Sequence, residues 1–136
     1  MPENNNNFQL RVYYEDTDIG GIVYHANYLK FFERARTEWL REKGITQSFF
    51  LEQNLGFVVT RVEIDYVASA KLDDLLNVSS LISECKRASL VFNQQITNQE
   101  QQIICNAIVR VAFVDFNRGK PSAIPKSILG ALKRVS

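Results

Sequence analysis

Tyr14-Glu15-Asp16-Thr17-Asp18-Ile19-Gly20-Gly21-Ile22-Val23-Tyr24-His25-Ala26-Asn27 runs directly into an apolar stretch from Tyr28 to Gly44. The first part has no hydrophobic period. It gathers acidic side chains, two adjacent glycines and the only histidine of the chain, the composition of a loop. The second part has helical spacing: Tyr28, Phe32, Ala35 and Trp39 fall at i, i+4, i+7 and i+11, and Phe31, Arg36 and Leu40 widen the stripe. Asn27 is expected to cap this helix, and Gly44 to end it in a left-handed conformation after a basic last turn with Arg41 and Lys43.

Upstream, Phe8 to Glu15 alternates apolar and polar positions, which predicts a half-buried strand. Downstream, Gln47 to Gln53 reads as one or two helical turns. The same period of two then returns in Phe57 to Tyr66, Leu75 to Lys86, Ser89 to Thr97 and Gln102 to Asp115. The last three, joined by short links, predict an antiparallel meander. Pro121 and Pro125 break the chain before a small terminal helix over Lys126 to Lys133.

The order is strand, long helix, four strands: an α+β class with an antiparallel sheet of about five strands wrapped around one long central helix. Phe31, Phe32, Trp39 and Leu40 are too much apolar surface for an exposed helix, so the concave face of the sheet is expected to bury it. The edges of so small a sheet invite pairing with a second copy, so at least a homodimer is expected.

Composition narrows the function. The chain has 136 residues, 46% of them apolar, enough for one domain with a true core, expected over residues 8–136 behind a disordered tail of residues 1–7. Sixteen basic and fifteen acidic side chains nearly cancel, which speaks against a general nucleic-acid or membrane surface. Cys85 and Cys105 lie in strand-like runs and read as free buried thiols, not a disulfide framework. The N-terminus lacks the regions of a signal peptide, and no run approaches the ~18 apolar residues of a spanning helix, so a cytoplasmic protein is expected.

The loop carries the candidate chemistry. A carboxylate beside a helix N-terminus can attack an acyl carbon or activate water, while free N–H groups stabilise the oxyanion that develops. Asp18 lies before the glycine pair, which permits close approach of a substrate, and Tyr24 to Asn27 lead into the helix. His25 can donate a hydrogen bond or orient the substrate. Three other readings stand beside this one: Asp-Thr-Asp before Gly-Gly as a plain turn, His25 as a structural hydrogen-bonder, and Glu15, Asp16, Asp18 and His25 as ligands of a divalent metal.

The run from Tyr14 to Arg36 resembles the signature of the 4-hydroxybenzoyl-CoA thioesterase family of hotdog-fold enzymes, and within it the YbgC-type acyl-CoA thioesterases associated with the bacterial Tol-Pal system. The resemblance continues through Asp65-Tyr66, Ala70 to Asp74 and Phe116 to Pro121, nearly the whole chain. It implies a hotdog fold and an acyl-CoA substrate bound between the subunits of a homodimer or homotetramer, with no metal and no cofactor. Asp18, not Asp16, falls on the family's catalytic carboxylate, and the backbone N–H of His25 on its oxyanion donor. The histidine itself favours the YbgC-like branch over an aromatic-acyl specialist. Tyr14, Gly21, Val23 and Tyr24 are expected to bind substrate, and Lys86, Arg87 and Lys120 to meet the CoA phosphates. A non-catalytic module that binds acyl-CoA or an acyl carrier protein is the alternative.

Overall fold

The computed structural model describes residues 6–133. β1 (Asn6–Arg11) passes through a 3-10 turn at Tyr14–Asp16 and the acidic loop into α1 (Asn27–Glu42) and a short α2 (Gln47–Leu51). β2 (Leu55–Tyr66), β3 (Leu75–Cys85), β4 (Ser89–Thr97) and β5 (Ile103–Asp115) follow, and a two-residue β6 (Lys120–Pro121) and α3 (Lys126–Lys133) complete the described chain. All pairings are antiparallel, in the order β1-β3-β4-β5-β2, with β6 against the end of β5. The expected meander is β3 to β5. β2 stands at the far edge, beside β5, so the chain crosses the sheet once before the meander and once after β1.

One core joins helix and sheet. α1 buries Tyr28, Phe31, Phe32, Ala35, Trp39 and Leu40 against the alternate inward positions of the strands, among them Leu76, Val78 and Ile82 of β3 and Ala107, Val109, Val111 and Phe113 of β5. Trp39 is fully buried and meets Phe92 of β4 edge-on at 5.7 Å. Each such side chain contributes about 2–3 kcal/mol by leaving water. The sheet curled around this helix is the hotdog arrangement.

Several local expectations change. β1 begins earlier and ends earlier than Phe8 to Glu15. Asn6 and Asn7, expected in the tail, pair with Ser80 and Ser79, while residues 1–5 of that tail lie outside the described residues. The strand stops because the Asp16 carboxylate accepts the Tyr13 N–H at 2.8 Å and turns the chain. Asn27 is not the cap: Ala26 holds that position without a side-chain bond, and the Asn27 amide instead donates to the Asp16 carbonyl at 2.8 Å. Gly44 does end the helix, at φ +80°, with the Ile45 N–H on the Leu40 carbonyl.

Arg36, on the edge of the apolar stripe, is only 9% exposed. Its guanidinium donates to the Gln94 side chain at 3.1 Å, and Gln94 donates in turn to the Phe32 carbonyl and to Ser80 Oγ. Burial pulls the Arg36 pKa down, partly countered by the nearby Glu33. Cys105 is buried as expected and is a free thiol, and Cys85 is half-buried. Burial, with some help from Asp65, pushes the Cys105 thiol up to about 12, so it stays protonated at neutral pH.

Candidate active site

The loop is a tight hairpin. Thr17 pairs with Val23, the Asp18 N–H donates to the Ile22 carbonyl, and the Tyr24 N–H donates to the Asp16 carbonyl, each at 3.0 Å for the two hydrogen bonds. Asp18 opens the turn at its tip, its Oδ1 accepting the Gly20 N–H at 3.1 Å, while Gly21 at φ +73° reverses the chain and returns an N–H to the Asp18 carbonyl. The segment between β2 and β3 braces the hairpin from outside: Ile22 pairs with Lys71, and the Leu72 N–H donates to the Gly21 carbonyl. The Asp18 carboxylate is exposed at this tip.

A second turn follows. The Asn27 N–H donates to the Tyr24 carbonyl at 2.8 Å, which makes His25 and Ala26 the central residues of the turn that opens α1. Among the described residues the N–H groups of His25 and Ala26 donate to no backbone acceptor, as expected of the two inner positions of such a turn. The His25 carbonyl accepts the Tyr66 hydroxyl at 3.0 Å. The His25 ring lies 4.6 Å from that of Tyr24 and 6.1 Å from that of Tyr66. Behind the turn, buried Tyr28 accepts the Ala70 N–H at 3.1 Å, and burial raises its hydroxyl pKa.

The loop thus holds Tyr14, Asp18, Gly21, Val23, Tyr24 and His25 close along one folded segment. Tyr14 and Tyr24 are exposed, whereas Val23 is only 4% exposed and its side chain belongs to the core, so only its backbone is left for a ligand. Lys86, Arg87 and Lys120 form a separate group. The Ile124 N–H donates to the Arg87 carbonyl, which brings the segment after β6 onto the β3–β4 turn, and Lys86 pairs with Glu84 at 3.1 Å. This group lies at the far end of β3 from the hairpin, a strand of 11 residues whose length is at most ~35 Å at ~3.3 Å per residue. Glu15, Asp16, Asp18 and His25 do not gather as a metal-ligand cluster among the described residues. Tyr66 was legible as a strand position and as part of the family resemblance, but no local signal tied it to His25.

Clefts open on the sheet and beside the acidic loop. A trough of about 370 Å³ on the sheet's outer face is lined by Glu63, Asn93, Gln95 and Asn106, and a polar cleft of about 440 Å³ lies between Arg11, Glu15, Lys30 and Arg34. Neither is bordered by Asp18 or His25.

Residues 12–132 match the profile of the thioesterase-like superfamily. The chain belongs to that superfamily. It is 51% identical over 136 residues to the acyl-CoA thioesterase YbgC of Haemophilus influenzae, covering 99% of each chain. It is also 46% identical over 125 residues to the acyl-CoA thioester hydrolase YbgC of Escherichia coli, covering 92% of this chain and 93% of that one. A probable thioesterase from Bartonella henselae superposes with a TM-score of 0.83 at 38% identity, over 89% of this chain and 99% of that one. A 4-hydroxybenzoyl-CoA thioesterase in complex with 4-hydroxybenzoyl-CoA superposes at 0.85 with 20% identity, over 95% and 99%, and shares the fold. Among the described residues, no helix of this superfamily member is long and apolar enough to cross a membrane.

Proposed function

We propose that the chain hydrolyses acyl-CoA thioesters to the free acid and CoA, with Asp18 as nucleophile or general base and the His25 N–H as oxyanion donor. The observation that carries this reading is the pair of linked turns: one holds the Asp18 carboxylate by a single oxygen, and the next leaves the His25 N–H without a backbone acceptor at the start of α1. The activity of the YbgC relatives supports the same chemistry.

The thioester carbonyl oxygen accepts from the His25 N–H, and the positive end of the α1 dipole favours the charge that grows there. The Asp18 carboxylate then attacks the carbonyl carbon, or takes a proton from a water that does. The C–S bond breaks and CoA leaves as a thiolate, to be protonated from solvent. Direct attack leaves an acyl anhydride on Asp18, which a water then opens, returning the Asp18 carboxylate and releasing the acid. Either route consumes one water and releases one acid and one thiol.

The hairpin and the Lys86, Arg87 and Lys120 group are too far apart for one CoA to engage both within one copy. The reading therefore includes a homodimer in which the cations that hold the CoA phosphates come from the partner. β2 supports this. It pairs with β5 on one side only among the described residues, and Val58, Val59, Val62 and Tyr66 are exposed along it.

The test is thiol release from a panel of short-chain, long-chain and aromatic acyl-CoAs by the purified chain. Stoichiometric appearance of free CoA and acid with at least one of them is expected. Tight binding across the panel without thiol release would establish the non-catalytic binding module instead.

A further inference from the structure

Tyr66 ends β2, 41 residues from His25 in sequence, yet its hydroxyl donates to the His25 carbonyl at 3.0 Å. Its ring stands edge-on to the His25 ring at 6.1 Å and rests against Tyr28 of α1 at 5.7 Å. Tyr28 is itself fixed, accepting the Ala70 N–H, while the Ala70 carbonyl accepts the Val23 N–H at 2.9 Å. A strand end, the first turn of the helix and the segment before β3 therefore converge on the short stretch from Val23 to Tyr28. Within that stretch the His25 carbonyl is held by a side chain rather than by helix or sheet.

We propose that Tyr66 is a positioning residue for the oxyanion donor: by donating to the His25 carbonyl it fixes the peptide joining His25 to Ala26, and with it the direction in which the turn presents its free N–H groups. The inference rests on the assignment of the His25 N–H made above. Tyr66 touches neither the thioester nor Asp18 in this account and acts through the backbone alone. Two effects follow from one hydrogen bond. Geometrically, a turn with no side-chain cap loses a tether when the hydroxyl is removed, and donors aimed at a developing oxyanion are sensitive to small displacements. Electronically, a donor on the carbonyl side of a peptide strengthens the N–H on its other side, here that of Ala26, the neighbouring free donor.

The experiment compares the wild-type chain, Tyr66→Phe and Asp18→Asn in the thiol-release assay, with kcat expressed per folded molecule and thermal unfolding followed by circular dichroism. Tyr66→Phe keeps the ring contacts with His25 and Tyr28 and removes only the donor. The expected result is a kcat lower by roughly tenfold with KM within about twofold, because an interaction felt mainly in the transition state is lost. A kcat per folded molecule within about twofold of wild type, whether or not the unfolding temperature drops, overturns the inference and leaves Tyr66 a structural tether. Asp18→Asn separates the two assignments. If it is inactive while Tyr66→Phe is unimpaired, only the role of Tyr66 falls; if it retains full activity, the assignment of the site itself fails.

Discussion

Gly21 holds φ at +73°, and a Cβ built there meets nothing within 4 Å. The constraint is backbone conformation alone, not space. Gly21→Ala is therefore expected to cost about 1 kcal/mol of stability, and Gly21→Asn less, because asparagine tolerates the left-handed region. Urea unfolding of the two variants checks the ranking, and equal losses would place the cost in crowding instead. The glycine pair was legible because a turn of this kind needs no partner distant in sequence. The places of Asp18, Tyr24 and His25 in their turns were legible for the same reason. Val23, expected at the substrate by resemblance, keeps its side chain in the core, which local sequence does not tell because it does not say which way a hairpin's legs face. Tyr66 was missed as a neighbour of His25 because the contact is made by the path of the chain across the sheet, which no residue spacing encodes.

At the scale of elements, period did most of the work. The 3.6-residue recurrence marked α1 and the two-residue recurrence marked the strands, since both periods are imposed by one buried face. Trp39, fully buried against Phe92, anchors that face. Trp39→Ala is expected to destabilise by about 3–5 kcal/mol in chemical denaturation, and a loss under about 1 kcal/mol would show that the helix is not the centre of the core. Element ends were less legible. Asp16 ends β1 through its own side chain and draws Asn27 away from the cap, a competition between neighbours that residue preferences do not rank. Arg36 defied the rule that charge faces water because Gln94 and the arginine stem together make burial tolerable: the stem packs while the guanidinium keeps a hydrogen bond.

For the whole molecule, the class and the meander were legible, but the place of β2 beside β5 was not, since crossing connections leave no mark in local pattern. Among the described residues that placement leaves β2 open at one edge, while β3 itself separates the acidic hairpin, near its start, from the Lys86–Arg87 turn after its end. If one substrate bridges two copies, mixing Asp18→Asn chains with Lys86→Glu/Arg87→Glu chains creates one intact site per mixed dimer. Turnover is then expected to recover to roughly a quarter of wild type, while recovery no greater than the sum of the two parents would place both groups of residues in a single copy. The most direct measurement of the central claim is the turnover of Asp18→Asn on the best acyl-CoA of the panel, taken together with its affinity for that substrate. The account predicts a kcat lower by about a thousandfold with binding changed by less than about tenfold. Hydrolysis by Asp18→Asn at a rate close to wild type would contradict it.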